Sequence, residues 1–219
     1  WLKTEKNKEE KDIEKILQDI YKYAKNFYIE ELLVDEEIFI QSIKNCKSKS
    51  DNNLLNKNFF LISRRLVPRT GVLELLNLLK NNKFNNEFNF IITGSGPLEN
   101  KVRSLSNQVN NIFFLGEVSE QKLLSLKKSA FGFIVPSVEA EGYCVLAKEA
   151  RILDKFILHT NQGGLKESTM NFYKSFTFNL ENRKSLDKSI DETKSFNKKI
   201  FNPKEKNNNF LMKLKFLFN

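Results

Sequence analysis

The chain has 219 residues, 36 of them Lys or Arg against 27 Asp or Glu, and a net charge of +9 at pH 7. That length suits one domain, or one domain with a fragment of another, and can bury a proper core. Two cysteines, Cys46 and Cys144, no CxxC pair and a single histidine exclude a disulfide framework and a zinc site, so no metal is expected and a reducing, cytoplasmic setting follows. No signal peptide is visible, and no apolar run approaches the ~18 residues a membrane span needs. The positive excess suits anionic partners such as nucleotides, nucleic acid or an anionic membrane face. It is equally read as solvated surface, because Lys and Asn abound in stretches such as NKEEK and NPKEKNNN. The chain begins with Trp1 and not Met, which predicts a fragment or a trimmed chain.

Residues 5 to 28 predict a helix with an apolar stripe of Ile13, Ile16, Leu17, Ile20, Tyr23, Ala24 and Phe27, and Asp35 to Ile43 continue helically. Lys44 to Asn58, rich in Ser, Asn and charge, reads as a linker, with a domain boundary near Lys57. The division is therefore 1–57, 58–200 and a basic, apolar tail at 201–219. Within the middle part the pattern alternates: strand Phe59 to Arg64, helix Gly71 to Asn81, strand Phe88 to Gly94, helix Leu98 to Val109, strand Ile112 to Gly116. Helix Ser119 to Ser129, strand Phe131 to Val135, helix Tyr143 to Leu153 and strand Lys155 to Thr160 follow, then a short helix after Gly164. Phe176 to Asn179 form a sixth strand and Arg183 to Lys194 its helix. Such alternation implies an α/β, Rossmann-like, doubly wound parallel sheet with helices on both faces.

Phe131 to Val135 is the apolar run of a buried parallel strand, and it stops at Pro136 and Ser137. Helical spacing then begins near Gly142 or Tyr143, at the strand's carboxyl end, where open α/β sheets bind ligands. Backbone N–H groups at Tyr143 and Cys144 are expected to point from the helix start toward an anion such as a phosphate. Glu141 precedes that helix and Glu149 lies two turns inside it, roughly 12 Å apart along the axis, too far to share a proton. Two ionised carboxylates so spaced suit gripping the hydroxyl-bearing ends of one ligand with an anionic middle. Arg64, Arg65 and Arg69 cluster in the loop after the first strand, where guanidinium groups either hold phosphate oxygens or merely solubilise the loop. Gly94 and Gly96 in GSGP make a tight turn first and a ligand contact second, since the full dinucleotide spacing is absent. Gly163 and Gly164 either shape a loop near the same ligand or form a plain strand-to-helix turn. His159, the sole histidine, invites a general-base role, but at the end of an apolar strand it reads as structural.

The run from Glu141 to Glu149 is similar to the Glu-x7-Glu signature of the retaining GT-B glycosyltransferases of family 4, also called group 1. SRRLVPRTGV at 63–72, FNFIITGSGPLENKV at 88–102, NIFFLGEVSEQKLLSLKKSA at 111–130 and FILHTNQGGLKES at 156–168 resemble that family's other segments in order and spacing. The resemblance covers residues 59 to 195 and implies the C-terminal, donor-binding half of a GT-B fold. It implies transfer of a sugar from a nucleotide diphosphate sugar, a substrate and not a cofactor, with retention of configuration. Glu149 would hold ribose hydroxyls and Glu141 the sugar hydroxyls, with Arg65 and Glu141 as the catalytic pair. Arg69, Thr70, Gly142, Tyr143, Cys144, Gly94, Gly96, Glu117, Val118, Gly163 and Gly164 would line the donor, the base lying near Glu117 and Val118. Thr70 stands in the place of the family's Lys, Arg64 where Gly is frequent, and Cys144 where Gly is usual. An N-terminal partner domain would bring the acceptor, a glycan, lipid or small molecule; without it the chain is a binding half. Lys213 and Lys215 among large apolar residues permit membrane-surface contact, and the absence of an aromatic and basic platform argues against nucleic acid.

Overall fold

The computed structural model describes residues 36–46, 57–80, 83–84, 86–142 and 144–200, with side chains as far as 196. The expected helix at 5–28, most of the linker, Tyr143 and the tail at 201–219 lie outside these. Six strands, β1 (Asn58–Ser63), β2 (Phe88–Thr93), β3 (Ile112–Gly116), β4 (Gly132–Val135), β5 (Phe156–His159) and β6 (Ser175–Thr177), form one sheet in the order β3-β2-β1-β4-β5-β6. Every pairing is parallel. β1 and β2 read NFFLIS and FNFIIT because they are central and covered on both faces, which leaves no place for polar alternation.

Residue parity then sorts the core into two layers. Phe60, Ile62, Phe90, Ile92, Ile134 and Leu158 pack on helices α2 (Val72–Leu79), α3 (Glu99–Ser106) and α7 (Arg183–Ile200). Phe59, Leu61, Ile91, Phe133, Val135 and Ile157 face α4 (Glu120–Ser129), α5 (Val145–Ile152) and α6 (Gly164–Thr169). In α2 the spacing of Val72, Leu75, Leu76 and Leu79 supplies the buried stripe. α4 starts at Ser119, whose hydroxyl accepts from the Lys122 N–H at 3.3 Å. Helix α1 (Glu36–Asn45) lies against α4, with Lys128 Nζ donating to the Ile43 carbonyl at 3.3 Å and Cys46 Sγ to the Gln121 carbonyl at 3.3 Å.

Phenylalanines run in a row across the sheet near the amino ends of its strands. Phe60 and Phe88 have centroids 5.1 Å apart, Phe88 and Phe131 5.1 Å, Phe131 and Phe156 4.9 Å, and Phe156 and Phe176 6.2 Å. Each such pair contributes about 0.5–1.5 kcal/mol beyond its buried area, so aromatic packing ties the strands together at this edge. The carboxyl edge carries the loops. Among the described residues no helix is long and apolar enough to cross a membrane.

His159 ends β5 with 2% exposure. Its Nδ1 lies 2.8 Å from the Thr160 carbonyl, which can only accept, so Nδ1 carries the proton and Nε2 accepts from Ser175 Oγ at 2.8 Å. Both ring nitrogens are thus used within the fold, in keeping with the structural reading of this residue. Burial lowers its pKa below the ordinary 6.5. The unfolded chain therefore binds the proton first, and stability present above about pH 6.5 is lost as pH falls through the lower folded value. Thermal midpoints measured from pH 7.5 to 5 should fall less for His159→Asn than for the parent protein; equal slopes would count against this assignment.

Candidate functional site

The strand order reverses between β1 and β4, and the loops leaving those two strands carry the charged residues. After β1, Val67 is extended as the residue before Pro68, and Pro68–Thr70 form a single 3₁₀ turn that the sequence reading treats as plain loop. Gly71 follows with φ 68° and comes so close to the next loop that a Cβ there would lie 1.7 Å from the Pro136 carbonyl oxygen. The Val138 N–H donates to the Arg69 carbonyl at 3.0 Å, so the two loops are fastened backbone to backbone.

Arg64 and Glu141 meet across this junction. Arg64 Nη2 donates to Glu141 Oε1 and to Ser137 Oγ at 3.2 Å, and Ser137 Oγ donates to the same carboxylate oxygen at 2.7 Å. Arg69 Nη1 lies 4.0 Å from that oxygen. Both the Arg64 and Glu141 side chains are only 12% exposed. Glu141 is also held through its backbone, since it bridges Gly163 and its carbonyl accepts from the Gly164 N–H at 2.8 Å. A Cβ on Gly163 would sit 2.6 Å from that carbonyl oxygen, and φ is 51° there, so only glycine permits the approach. The loop-shaping reading of Gly163 and Gly164 thus has a physical cause, and Gly142 beside them faces open space.

Glu149 occupies a separate network. It is buried on α5, and its Oε1 accepts from Lys127 Nζ at 2.6 Å. Lys127 comes from the last turn of α4 and lies 5.8 Å from the Phe39 ring centroid of α1. Sequence reasoning missed Lys127, because a Lys pair ending a helix normally answers the macrodipole and nothing local says that one of them reaches a neighbouring helix. Ser137, also missed, follows Pro136 at the end of β4 and reads there as an ordinary turn residue.

The helix start differs from expectation. α5 begins at Val145, with Cys144 as its extended N-cap (φ −90°, ψ 99°). The Cys144 N–H, expected to face an anion, instead donates to Ser168 Oγ at 3.0 Å, and that hydroxyl donates to the Gly164 carbonyl at 2.7 Å. The Cys144 sulfur faces the Ala147 and Leu146 N–H groups, and burial pushes its pKa up, so the thiol stays protonated and packs as a small side chain. Thr70, expected to line the donor, is buried, and its hydroxyl lies 2.7 Å from the Val67 carbonyl and 2.8 Å from that of Arg65. It braces its own turn and cannot replace a cation.

Arg65 is exposed and Arg69 half exposed, both on the β1 loop. Gly94 and Gly96 pass beneath that loop, where Cβ atoms would lie 1.9 Å from the Arg64 carbonyl oxygen and 2.5 Å from that of Leu66. Glu117 is exposed and Val118 half-buried; both follow β3, two strands from β1. Among the described residues no group of three or more His, Cys, Asp or Glu is placed to hold a metal ion.

The Lys127–Glu149 pair, with side chains 12% and 9% exposed, predicts an asymmetric mutational response. Removing one partner leaves a buried charge, so Lys127→Met should cost on the order of 3 kcal/mol in urea unfolding, while Lys127→Met combined with Glu149→Leu should recover most of it. A single variant as stable as the double would contradict the pairing.

The profile described as glycosyl transferases group 1 matches residues 44–209. An uncharacterized glycosyltransferase of Methanocaldococcus jannaschii is 29% identical over 137 residues, covering 62% of this chain and 38% of that relative. Among solved structures, a glycosyltransferase from Rickettsia africae superposes with TM-score 0.55 at 22% identity, covering 75% of this chain and 43% of the other. Anabaena HepE, solved in complex with UDP-glucose, superposes with TM-score 0.55 at 18% identity, covering 70% and 44%. Likeness at this level shows the fold, which matches GT-B glycosyltransferase structures, and the chain spans about two fifths of the length of these relatives. Because the profile match runs through all six strands and through both loops that carry the arginines and Glu141, the chain belongs to the glycosyl transferases group 1 family.

Proposed function

We propose that this chain is the donor-binding half of a retaining, family 4 glycosyltransferase and that it binds a nucleotide diphosphate sugar at the carboxyl ends of β1 and β4. The observation that carries this reading is the placement of Glu141 and Glu149 on one loop and helix, each pre-oriented by its own buried cation, beside a loop with three arginines. Oxygen Oε1 of each carboxylate is engaged, which leaves Oε2 to accept a hydroxyl proton without moving the side chain. Glu149 takes the ribose hydroxyls and Glu141 the sugar. Arg65 and Arg69 face the departing diphosphate, whose growing charge in the transition state is where fixed cations accelerate the reaction. The UDP-glucose complex of HepE supports this class of donor.

Acceptor binding lies with the remaining length of such an enzyme, a partner domain that takes a glycan, lipid or small molecule. A nucleotide-sugar-binding half that needs a partner domain for turnover is the second reading, in line with a match that spans 38% of the relative.

Titration with UDP, GDP and ADP tests the site. One of the three should bind, and Glu149→Gln should weaken it about ten- to a hundredfold, the worth of hydrogen bonds to a charged group. Binding by none, or binding untouched by the substitution, would sink the proposal. Donor hydrolysis by the purified chain would then separate an enzyme from a binding half.

A further inference from the structure

Arg64 is the residue at this site that the donor-site reading leaves without a ligand. Its side chain is turned into the protein, 12% exposed, yet it does not behave as a simple clamp for Glu141. Lys127 is such a clamp, one ammonium on one carboxylate. Around Glu141 the balance is different, because Arg64 and Arg69 both approach a single carboxylate, leaving one positive charge in surplus before Arg65 is counted. One donor is also left over. Glu141 Oε1 already receives both Arg64 and Ser137, and Arg64 Nε is buried with no hydrogen-bond partner.

Three buried side-chain polar atoms lack a partner among the described residues, and two of them, Arg64 Nε and Thr93 Oγ1, sit at the carboxyl ends of the adjacent strands β1 and β2. The third, Ser106 Oγ, ends α3. The turn at Pro68–Thr70 supplies Arg69 and no second cation, since Thr70 is uncharged and faces inward. A neutral sugar ring offers hydroxyls, which a lone carboxylate would suit. A surplus of charge and donors calls for an oxygen that only accepts.

We propose that Arg64 is a specificity-determining residue that receives an anionic oxygen of the donor, so that the ligand group beside Glu141 carries negative charge. The inference rests on the donor-site reading. Two parts of such a donor have this chemistry, namely the distal phosphate of the nucleoside diphosphate and a carboxylate on the transferred sugar.

The test is calorimetric titration of the parent chain, Arg64→Met and Arg64→Lys, each first checked for an unchanged circular dichroism spectrum and a cooperative melt. Ligands are UDP, GDP and ADP, their monophosphates, UDP-glucose and UDP-glucuronate. If the distal phosphate is the partner, Arg64→Met weakens the diphosphate about tenfold or more and leaves the monophosphate within about threefold, with Arg64→Lys in between. With a sugar carboxylate as partner, the parent prefers UDP-glucuronate to UDP-glucose and Arg64→Met abolishes that preference. Either result supports the assignment. Equal losses for every ligand, or no loss for any, would overturn it and leave Arg64 as a clamp. A parent chain that binds no nucleotide, or whose binding ignores Glu149→Gln, instead overturns the donor-site reading beneath it.

Discussion

The reversal of strand order between β1 and β4 is the constraint on which the rest of this site depends. Parallel strands on either side of that point send their connections to opposite faces of the sheet, so the loops at the carboxyl ends part and leave a crevice between them. Here the parting is limited by backbone contacts: Val138 on Arg69, Gly71 against Pro136, and Gly163 against Glu141. The crevice is therefore bounded by main chain, and its side chains are presented from fixed positions. The phenylalanine row at the opposite edge keeps the strands in register while the loops are free to carry chemistry.

Burial of the two glutamates sets the next condition. A carboxylate out of water is strongly disfavoured unless it is paired, and each is paired by a different route: Glu149 by a lysine from α4, Glu141 by an arginine from the loop after β1. The two networks share no member, which agrees with a spacing too long for a proton to be shared. Separate pairing lets the ends of the site differ in charge. At Glu149 one carboxylate meets one ammonium, whereas at Glu141 two guanidinium groups meet one carboxylate.

Much of this was legible in the sequence. Continuous apolar runs such as FFLI in β1 and FIV in β4 announce strands buried on both faces, and the alternation with amphipathic helices announces the doubly wound sheet. The Glu141 to Glu149 run was legible because both residues lie on one short stretch whose periodicity changes from strand to helix. Contacts between distant segments were not legible. Arg64 reaches Ser137 across 73 positions and Glu141 across 77, and Lys127 finds Glu149 only because α4 and α5 lie on the same face of the sheet. The start of α5 was misplaced for the same reason: Ser168, from α6 and 24 residues away, takes the Cys144 N–H.

Pre-pairing also decides how the two ends respond to a ligand. At Glu149 the carboxylate is already desolvated and oriented, so a hydroxyl can join the free oxygen with little reorganisation, the condition under which a hydrogen bond contributes most to binding. At Glu141 a neutral hydroxyl can likewise join the free oxygen, but it leaves the surplus cation unanswered. On the donor-site reading, the same scaffold would take a hydroxyl-bearing group at one end and answer a charge at the other. The difference traces to one residue, Arg64, whose buried guanidinium alters the chemistry of a carboxylate that the fold already holds in place.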